Sequence, residues 1–560
     1  MPHQVPSGFR NVVDPSAATR FREQGWWGDV TVADLVARNA TANPSGHAFV
    51  SPEGVLSWVR YRDVSDRLAA VLIGAGLEPG ERVALLLEDG PTMHAVFVGN
   101  EKAGLITVGI GARAGDLEIR HLIERTGAVA LISHARHRRV DTSELYARLV
   151  HSGLPLRRHI VVPRFEVAAD GDEVLVNGAV ADADVVAATL LVEERRMGPD
   201  DFFLINSTSG TTGLPKCVMH TQNSKMYMAG QARVVGDLGP SEVVFGGAPM
   251  PFGFGLFTTH FVPLVLGGTA VVASRFDADQ AIEMMERERV TVLVCVSTQF
   301  KMLLNSPEIR RRDWSALRIM FTGGEMIPFA AAREFEDLTG ASVLNFYGSN
   351  ESGMCTGTRL SHSRDHRLRT GGTYLDGTEV RLFDEGVDVT STGRGQPGSR
   401  GPAACLGYYD DPAANEELFT DDGFVLHADI CTIDNEGFLS VVGRKSDIII
   451  RGGKNISAAV VEDAVSEHPA VALASAVPMP DPLFGERVCV YVELRPGQKL
   501  TIEELVAFLD ERGGSKETFP EHLVIVDRIA RSSGSKIAKG TLREDARRRA
   551  AETSGPEVRS

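Results

Sequence analysis

Cysteine is scarce in this chain and never clustered. The six (Cys217, Cys295, Cys355, Cys405, Cys431, Cys489) lie far apart, with no CxxC pair and no Cys/His cluster. That spacing argues against a structural zinc site or a disulfide framework and for a reducing cytoplasm. The opening, MPHQVPSGFRNVVDPS, has no basic segment followed by an apolar core, so no signal peptide is read there. Long apolar runs are missing too. The most apolar stretch, 254–273, is broken by His260, Pro263 and several glycines and threonines, which reads as buried core rather than a membrane span. Positive charge is in deficit: 58 basic against 74 acidic residues give a net charge of −16. That argues against nonspecific nucleic-acid binding and leaves room for a local basic patch over a nucleotide. Nor is there a Walker A loop. That motif ends in Gly-Lys-Ser/Thr, whereas here Pro215 precedes Lys216 and Cys217 follows it, which disfavours a P-loop GTPase or kinase.

What is present is a different phosphate-holding segment. Residues 207–216 read Ser-Thr-Ser-Gly-Thr-Thr-Gly-Leu-Pro-Lys. Gly210 and Gly213 allow a tight turn that brings backbone N–H groups close to an anion. Ser207, Thr208, Ser209, Thr211 and Thr212 crowd hydroxyl donors around it, and Lys216 adds a positive charge. The strand-like Phe202-Phe203-Leu204-Ile205 feeds straight into this loop, which a mere polar linker would not explain.

A hydrophobic content of 43% and a charged content of 24% over 560 residues describe an ordinary globular chain with more than one domain. Short apolar runs alternate with helical patterns. Strands are expected at 82–87, 128–133, 270–273, 290–296, 317–321 and 342–346, and helices at 91–103, 116–126, 277–289 and 328–339. The fold class is therefore α/β, with mainly parallel sheets covered by helices. After about residue 375 glycines multiply and strands shorten, which suggests a small β-rich subdomain. A boundary falls near 443–447, giving an N-terminal domain at 1–443, a hinge at 444–446 and a small α+β domain at 447–560. In the last unit helices are expected near 458–467 and 501–512 and strands near 471–477 and 487–494. The tail from Arg547 reads as frayed.

Several later segments make sense beside a nucleotide. Tyr347-Gly348-Ser349-Asn350-Glu351 follows a strand, so its side chains stand at the carboxyl edge of a parallel sheet. Tyr347 offers a flat ring to a base and Glu351 a hard oxygen ligand to Mg2+. Gly323-Gly324-Glu325 also ends a strand and lets a planar group approach the backbone. Asp429 suits ribose hydroxyls, and Arg444 adds a donor to the same sugar. Gly452-Gly453-Lys454-Asn455-Ile456 reads as a loop opening a helix, and Lys536 lies on a glycine-containing loop near the chain end.

Together these segments resemble the adenylate-forming superfamily of acyl-CoA synthetases, peptide-synthetase adenylation domains and luciferases. The resemblance runs from about residue 30 to 545 and rests on motifs in the family's order: Thr208 to Lys216, Tyr347-Gly-x-x-Glu351, Asp429, Gly443-Arg444-x-x-Asp447 with Gly452-Gly453-x-Asn455-Ile456, and Lys536. It implies a two-step reaction using ATP, Mg2+ and CoA. A carboxylate attacks the α-phosphate of ATP, and a thiol then displaces AMP. It implies that the 207–216 loop holds the β- and γ-phosphates, that Asn350 contacts phosphate, and that Glu351 binds the metal. Gly323, Gly324, Glu325, Tyr347, Asp429 and Arg444 would surround adenine and ribose. Lys536 would be the catalytic residue, bridging carboxylate and α-phosphate. The small domain would rotate about Ser446 between the steps, bringing Gly452, Gly453 and Asn455 to the thiol side.

Four positions depart from the family's pattern. Asn350 replaces Thr, Val425-Leu426-His427-Ala428 stands before Asp429, the lysine loop reads Gly534-Ser535-Lys536, and Phe252 occupies an aromatic or histidine position. The segment Arg20 to Asp29 resembles two subgroups, one making CoA thioesters of cyclic or aromatic acids and one loading aryl acids onto carrier proteins. Phe252, Phe254, Ser297, Gly323 and Met354 are expected to line the acid pocket. Being mostly apolar, they favour a compact hydrophobic acid. The partners implied are a small carboxylic acid and CoA, with neither nucleic acid nor a membrane span, and the chain is a monomer or a homodimer. An acid–AMP ligase loading a carrier protein, a nucleotide-binding pseudoenzyme and a luciferase-type oxygenase remain alternatives.

Overall fold

The computed structural model describes residues 15–165, 173–181, 184–207, 215–248, 250–324, 328–444, 447–451, 454–512, 518–531 and 537–553. Two nine-stranded sheets dominate the first 410 residues. One runs in the order Thr373–Tyr374, Gly353–Gly357, Ser342–Ser349, Ile319–Gly323, Val292–Val294, Val243–Gly246, Thr269–Val271, His47–Ser51, Gly54–Ser57. Its central strands are parallel and its edges antiparallel. The other is built on the parallel strands Arg158–Val161, Ala130–Ser133, Arg82–Leu86, Ile106–Gly109 and Phe202–Ser207, and ends in the antiparallel Cys217–Thr221 and Gly407–Tyr408. Strands buried on both faces need near-continuous apolar sequence, and these have it: Val83, Ala84, Leu85, Val292, Leu293 and Val294 are all fully buried.

The largest core lies between the two sheets and takes in the helices Val32–Ala42, Trp58–Gly74, Pro91–Lys102 and Gln222–Gly236. A second core fills the outer face of the first sheet under the helices Ala278–Arg287, Ser297–Asn305 and Phe329–Thr339. Local chemistry sets several boundaries. Pro91 occupies the first turn of its helix, where the missing N–H costs nothing. Thr221 caps the Gln222–Gly236 helix by accepting from Ser224 N, so that helix starts directly behind the strand leaving the phosphate loop. The 254–273 stretch is buried, as expected. It forms a short helix, a π-helical turn at Phe257–Phe261, a helix at Val262–Leu266 and a strand.

A six-stranded, glycine-rich sheet spans Glu379–Arg444. The last unit pairs the long antiparallel strands Val471–Asp481 and Gly485–Leu494, with helices Ala458–Ser466 and Ile502–Glu511 packed against them. Two expectations are corrected here. The segment around Gly452–Ile456 is not simply a loop opening a helix. Ile448–Arg451 and Lys454–Ser457 pair as a hairpin, Arg451 opposite Lys454, before the helix begins. The tail is not frayed from Arg547 on either, because a helix runs through Lys539–Thr553. Its low apolar content hid a narrow buried stripe: Leu542 and Ala546 pack against Leu473, Val477 and Tyr491, while Asp545 pairs with Arg548 and Arg549. Residues 554–560 lie outside the described residues.

Candidate active site

The strands Phe202–Ser207 and Cys217–Thr221 pair with Ser207 opposite Cys217. That register sets the two ends of the Ser/Thr/Gly segment side by side on two buried strands. Thr208, Ser209, Gly210, Thr211, Thr212 and Gly213 lie outside the described residues, so the loop is located by its two ends. At the far end His121 Nε2 lies 3.0 Å from the Pro215 carbonyl oxygen. The Lys216 ammonium sits 4.6 Å from the centre of the Tyr408 ring. The same tyrosine donates its O–H to Glu351 Oε1 at 2.8 Å. Tyr408 thus joins the lysine of the loop to the carboxylate expected to bind metal. Burial and Glu351 raise the Tyr408 phenol, so it stays a donor throughout the physiological range.

On the nucleoside side, the parallel strands Ile319–Gly323 and Ser342–Ser349 place Gly323, Gly324 and Tyr347 at one carboxyl edge, with Gly323 opposite Phe346. Tyr347 donates to Asp429 Oδ2 at 2.9 Å. One face of its ring stacks on His427, with centroids 5.2 Å apart and planes 19° from parallel. The antiparallel register sets Asp429 opposite Arg444. Gly324, Tyr347, Asp429 and Ser297 line one cavity of about 250 Å³, shared with Ile537 and Lys539 of the small domain. Glu325 lies outside the described residues.

Lys536, Ser446, Gly452 and Gly453 also lie outside them. Their flanks are informative. Arg531 and Ile537 form an antiparallel bridge across the lysine segment, and Ile537, the residue after Lys536, lines the Tyr347–Asp429 cavity. Asp447, just past the expected hinge, pairs with Arg543 and with Lys539 at 3.3 Å, and Lys539 also reaches Glu462 at 2.9 Å. The last helix therefore ties down the start of the small domain. Asn455 lies in the hairpin opposite Ile450.

The expected acid-pocket residues divide. Phe254 approaches Gly323, where an added Cβ would meet its ring at 3.3 Å, and stacks edge-on against Phe257 at 5.4 Å. Phe252 lies over Gly111, where a Cβ would meet its ring at 2.8 Å. Ser297 belongs to the Tyr347–Asp429 cavity, and Met354 is buried in the main core. Asn350 stands beside Gly253, where a Cβ would come within 2.8 Å of Asn350 Oδ1. Sequence reasoning gave no role to Tyr408 or His427. They meet partners 57 and 80 residues away, and no local spacing marks such contacts.

A sequence profile described as AMP-binding enzyme matches residues 36–409, well over half of the chain, and one described as AMP-binding enzyme C-terminal domain matches 460–536. The chain belongs to the AMP-binding enzymes. It is 29% identical over 532 residues to the medium-chain fatty-acid–CoA ligase of Escherichia coli K12, covering 94% of this chain and 93% of that one. It is also 29% identical to the 2,3-dihydroxybenzoate-AMP ligase of Bacillus subtilis 168, covering 96% and 97%. In fold it is similar to the anthranilate CoA ligase AuaEII in complex with anthranoyl-AMP, with a TM-score of 0.81 at 21% identity over 93% of this chain and 98% of that one. As a member of this adenylate-forming group, the protein is an ATP-using ligase.

Two further features bear on what this AMP-binding enzyme holds. Among the described residues no cluster of three or more His, Cys, Asp or Glu could cage a metal ion. Glu351, joined through Tyr408 to Lys216, has the carboxylate that suits Mg2+, which takes one or two carboxylates together with substrate phosphates. A second, larger cavity of about 1350 Å³ lies between the large domain and segment 528–531 of the small one. Its lining includes Arg113, Arg138, Arg139, Arg275, Arg528 and Arg531. Burial and then the neighbouring Arg528 and Arg275 lower the pKa of Arg113, so like charges face one another there. Among the described residues no helix is long and apolar enough to cross a membrane.

Proposed function

We propose that the protein is an AMP-forming carboxylic acid–CoA ligase for a compact hydrophobic acid. In the first step a carboxylate oxygen attacks the α-phosphorus of ATP, and the bond to the β-phosphate breaks to release pyrophosphate. In the second, the sulfur of CoA attacks the acyl carbon and the bond to AMP breaks. The 207–216 loop holds the β- and γ-phosphates. Tyr347 and Asp429 hold the nucleoside, with Glu325 and Arg444 beside them, and Lys536 spans the two anions as they meet. Mg2+ bound at Glu351 supplies charge neutralisation on the phosphates. Tyr408 holds one Glu351 oxygen in place, and this carboxylate would carry the metal. The small domain turns about Ser446 between the steps and brings Gly452, Gly453 and Asn455 to the thiol.

The observation that carries CoA over a carrier protein is the arginine-lined cleft. Grouped guanidinium groups whose charges oppose one another suit a small polyanion, and CoA brings a pyrophosphate and a further phosphate. Phe254 beside Gly323 supports a flat apolar acid.

The test is ATP–pyrophosphate exchange over a panel of aliphatic, cyclic and aromatic acids, followed by thioester formation with CoA. Exchange with a cyclic or aromatic acid and its conversion to the CoA thioester is the expected result. Exchange without any CoA thioester would transfer the reading to carrier-protein loading. No exchange with any acid would leave a nucleotide-binding pseudoenzyme.

A further inference from the structure

Five buried polar atoms beside the phosphate loop have no hydrogen-bond partner among the described residues: Asn206 Oδ1, Ser207 Oγ, Asn350 Nδ2 and both ring nitrogens of His220. Leaving such atoms unpaired costs free energy, and most buried polar groups in native proteins are paired. Four of the five, on Asn206, His220 and Asn350, gather in one patch whose donors and acceptors suit a bound polar group.

The residues share one location. Asn206 and Ser207 end the strand entering the loop, and His220 stands on the strand leaving it. The register pairs Asn206 with Val218 and Leu204 with His220. Cross-strand partners and alternate residues share a face, so Asn206 and His220 are diagonal neighbours on one side of this hairpin. Asn350 closes the patch. Asn206 Nδ2 donates to Asn350 Oδ1 at 3.5 Å, and His220 lies beside the same amide. Gly253 stands beside the same Asn350 oxygen, where an added Cβ would come within 2.8 Å of it. Asn350 thus stands between the phosphate loop and the Phe252–Phe254 segment, where an acid and a nucleotide would meet.

We propose that Asn206 and His220 are positioning residues for adenylation, holding the Asn350 amide so that one of its Nδ2 hydrogens faces the α-phosphoryl oxygen. This rests on the adenylating reading above. With Asn206 on Oδ1, both Asn350 Nδ2 hydrogens remain to be placed. Burial, and then the charge of Lys225, keep His220 neutral, so one ring nitrogen retains a lone pair for the first Nδ2 hydrogen. The second hydrogen is left for the phosphate. A donor aimed before the reaction needs no reorganisation as charge develops.

A double-mutant cycle decides it. His220→Val removes the acceptor assigned to Asn350 Nδ2 together with one unpaired nitrogen, two changes of opposite sign, so its thermal midpoint should stay close to that of the wild type. Its kcat for acid-dependent ATP–pyrophosphate exchange should fall about tenfold, with KM for ATP within about twofold. His220→Gln, which can still accept from Asn350, should recover most of the rate. In an Asn350→Thr background, His220→Val should cost less than about twofold more. An equal factor in both backgrounds, or midpoint and rate falling together without rescue by Gln, would overturn the proposal. Asn206→Leu carries the same cycle if the Val variant does not fold. A wild-type chain that gives no exchange and binds no ATP by calorimetry would sink the adenylating reading itself. Wild-type exchange with additive losses would sink only this inference.

Discussion

Glu101 lies in the helix Pro91–Lys102 and is 2% exposed. Its Oε2 accepts the Ala33 N–H at 2.9 Å, while Oε1 has no partner among the described residues. Burial pushes the carboxyl from its ordinary 4.5 up to about 7, against the smaller opposing pulls of Thr31, Lys102, Arg196 and the Ala33 amide. Between those two values the folded chain keeps a proton that the unfolded chain has lost. This group's contribution is therefore most favourable below pH 4.5, declines as pH rises through 7, and is level above. The size of the decline is about 3 kcal/mol. Glu101→Gln resembles the protonated acid and removes the dependence. Denaturant unfolding of the wild type and E101Q, side by side from about pH 5 to about pH 8, should give curves that diverge in favour of the variant by about 2 to 3 kcal/mol. Titrating groups elsewhere cancel in the difference. Parallel curves, or a variant that loses ground as pH rises, would refute the assignment of a neutral buried carboxyl.

Two predictions concern the reaction. Lys536→Ala should lower acid-dependent pyrophosphate exchange about a hundredfold to a thousandfold yet spare thioester formation from supplied acyl-adenylate; equal loss in both steps would contradict domain rotation. Arg275→Ala and Arg528→Ala should each raise KM for CoA about three- to tenfold and weaken its salt dependence, leaving KM for ATP unchanged. Steady-state kinetics at two ionic strengths read both effects, and an unchanged KM for CoA would remove the arginine cleft from the thiol site.

Much of the architecture was legible because it follows from short-range patterns. The helix at Asp116–Thr126 has an acidic first turn and ends in left-handed Gly127, and it was read to the residue. The parallel strands at 82–86 and 319–323 announce themselves as apolar runs between helical patterns. Where the pattern was thin, reading failed. The last helix buries only Leu542 and Ala546, so its polar sequence from Arg547 on looked frayed. The hairpin before Ala458 is set by pairing across two glycines, which a linear reading takes for a turn.

The sequence by itself determined the class of chemistry. A glycine- and hydroxyl-rich loop, a tyrosine–glutamate strand end, an isolated aspartate and a late lysine are spaced by covalent order, and their side chains are of the types that suit phosphate, metal and sugar. Tertiary structure alone decided how those parts are held. Tyr408 links Lys216 to Glu351, His427 backs Tyr347, Asp447 is tied to Arg543, and Asn206 and His220 flank Asn350. These contacts reach as far as Lys216 to Tyr408, about a third of the chain apart in sequence, or join neighbouring strands through register. The physical reason is that burial, not proximity in the chain, sets which polar groups must find one another.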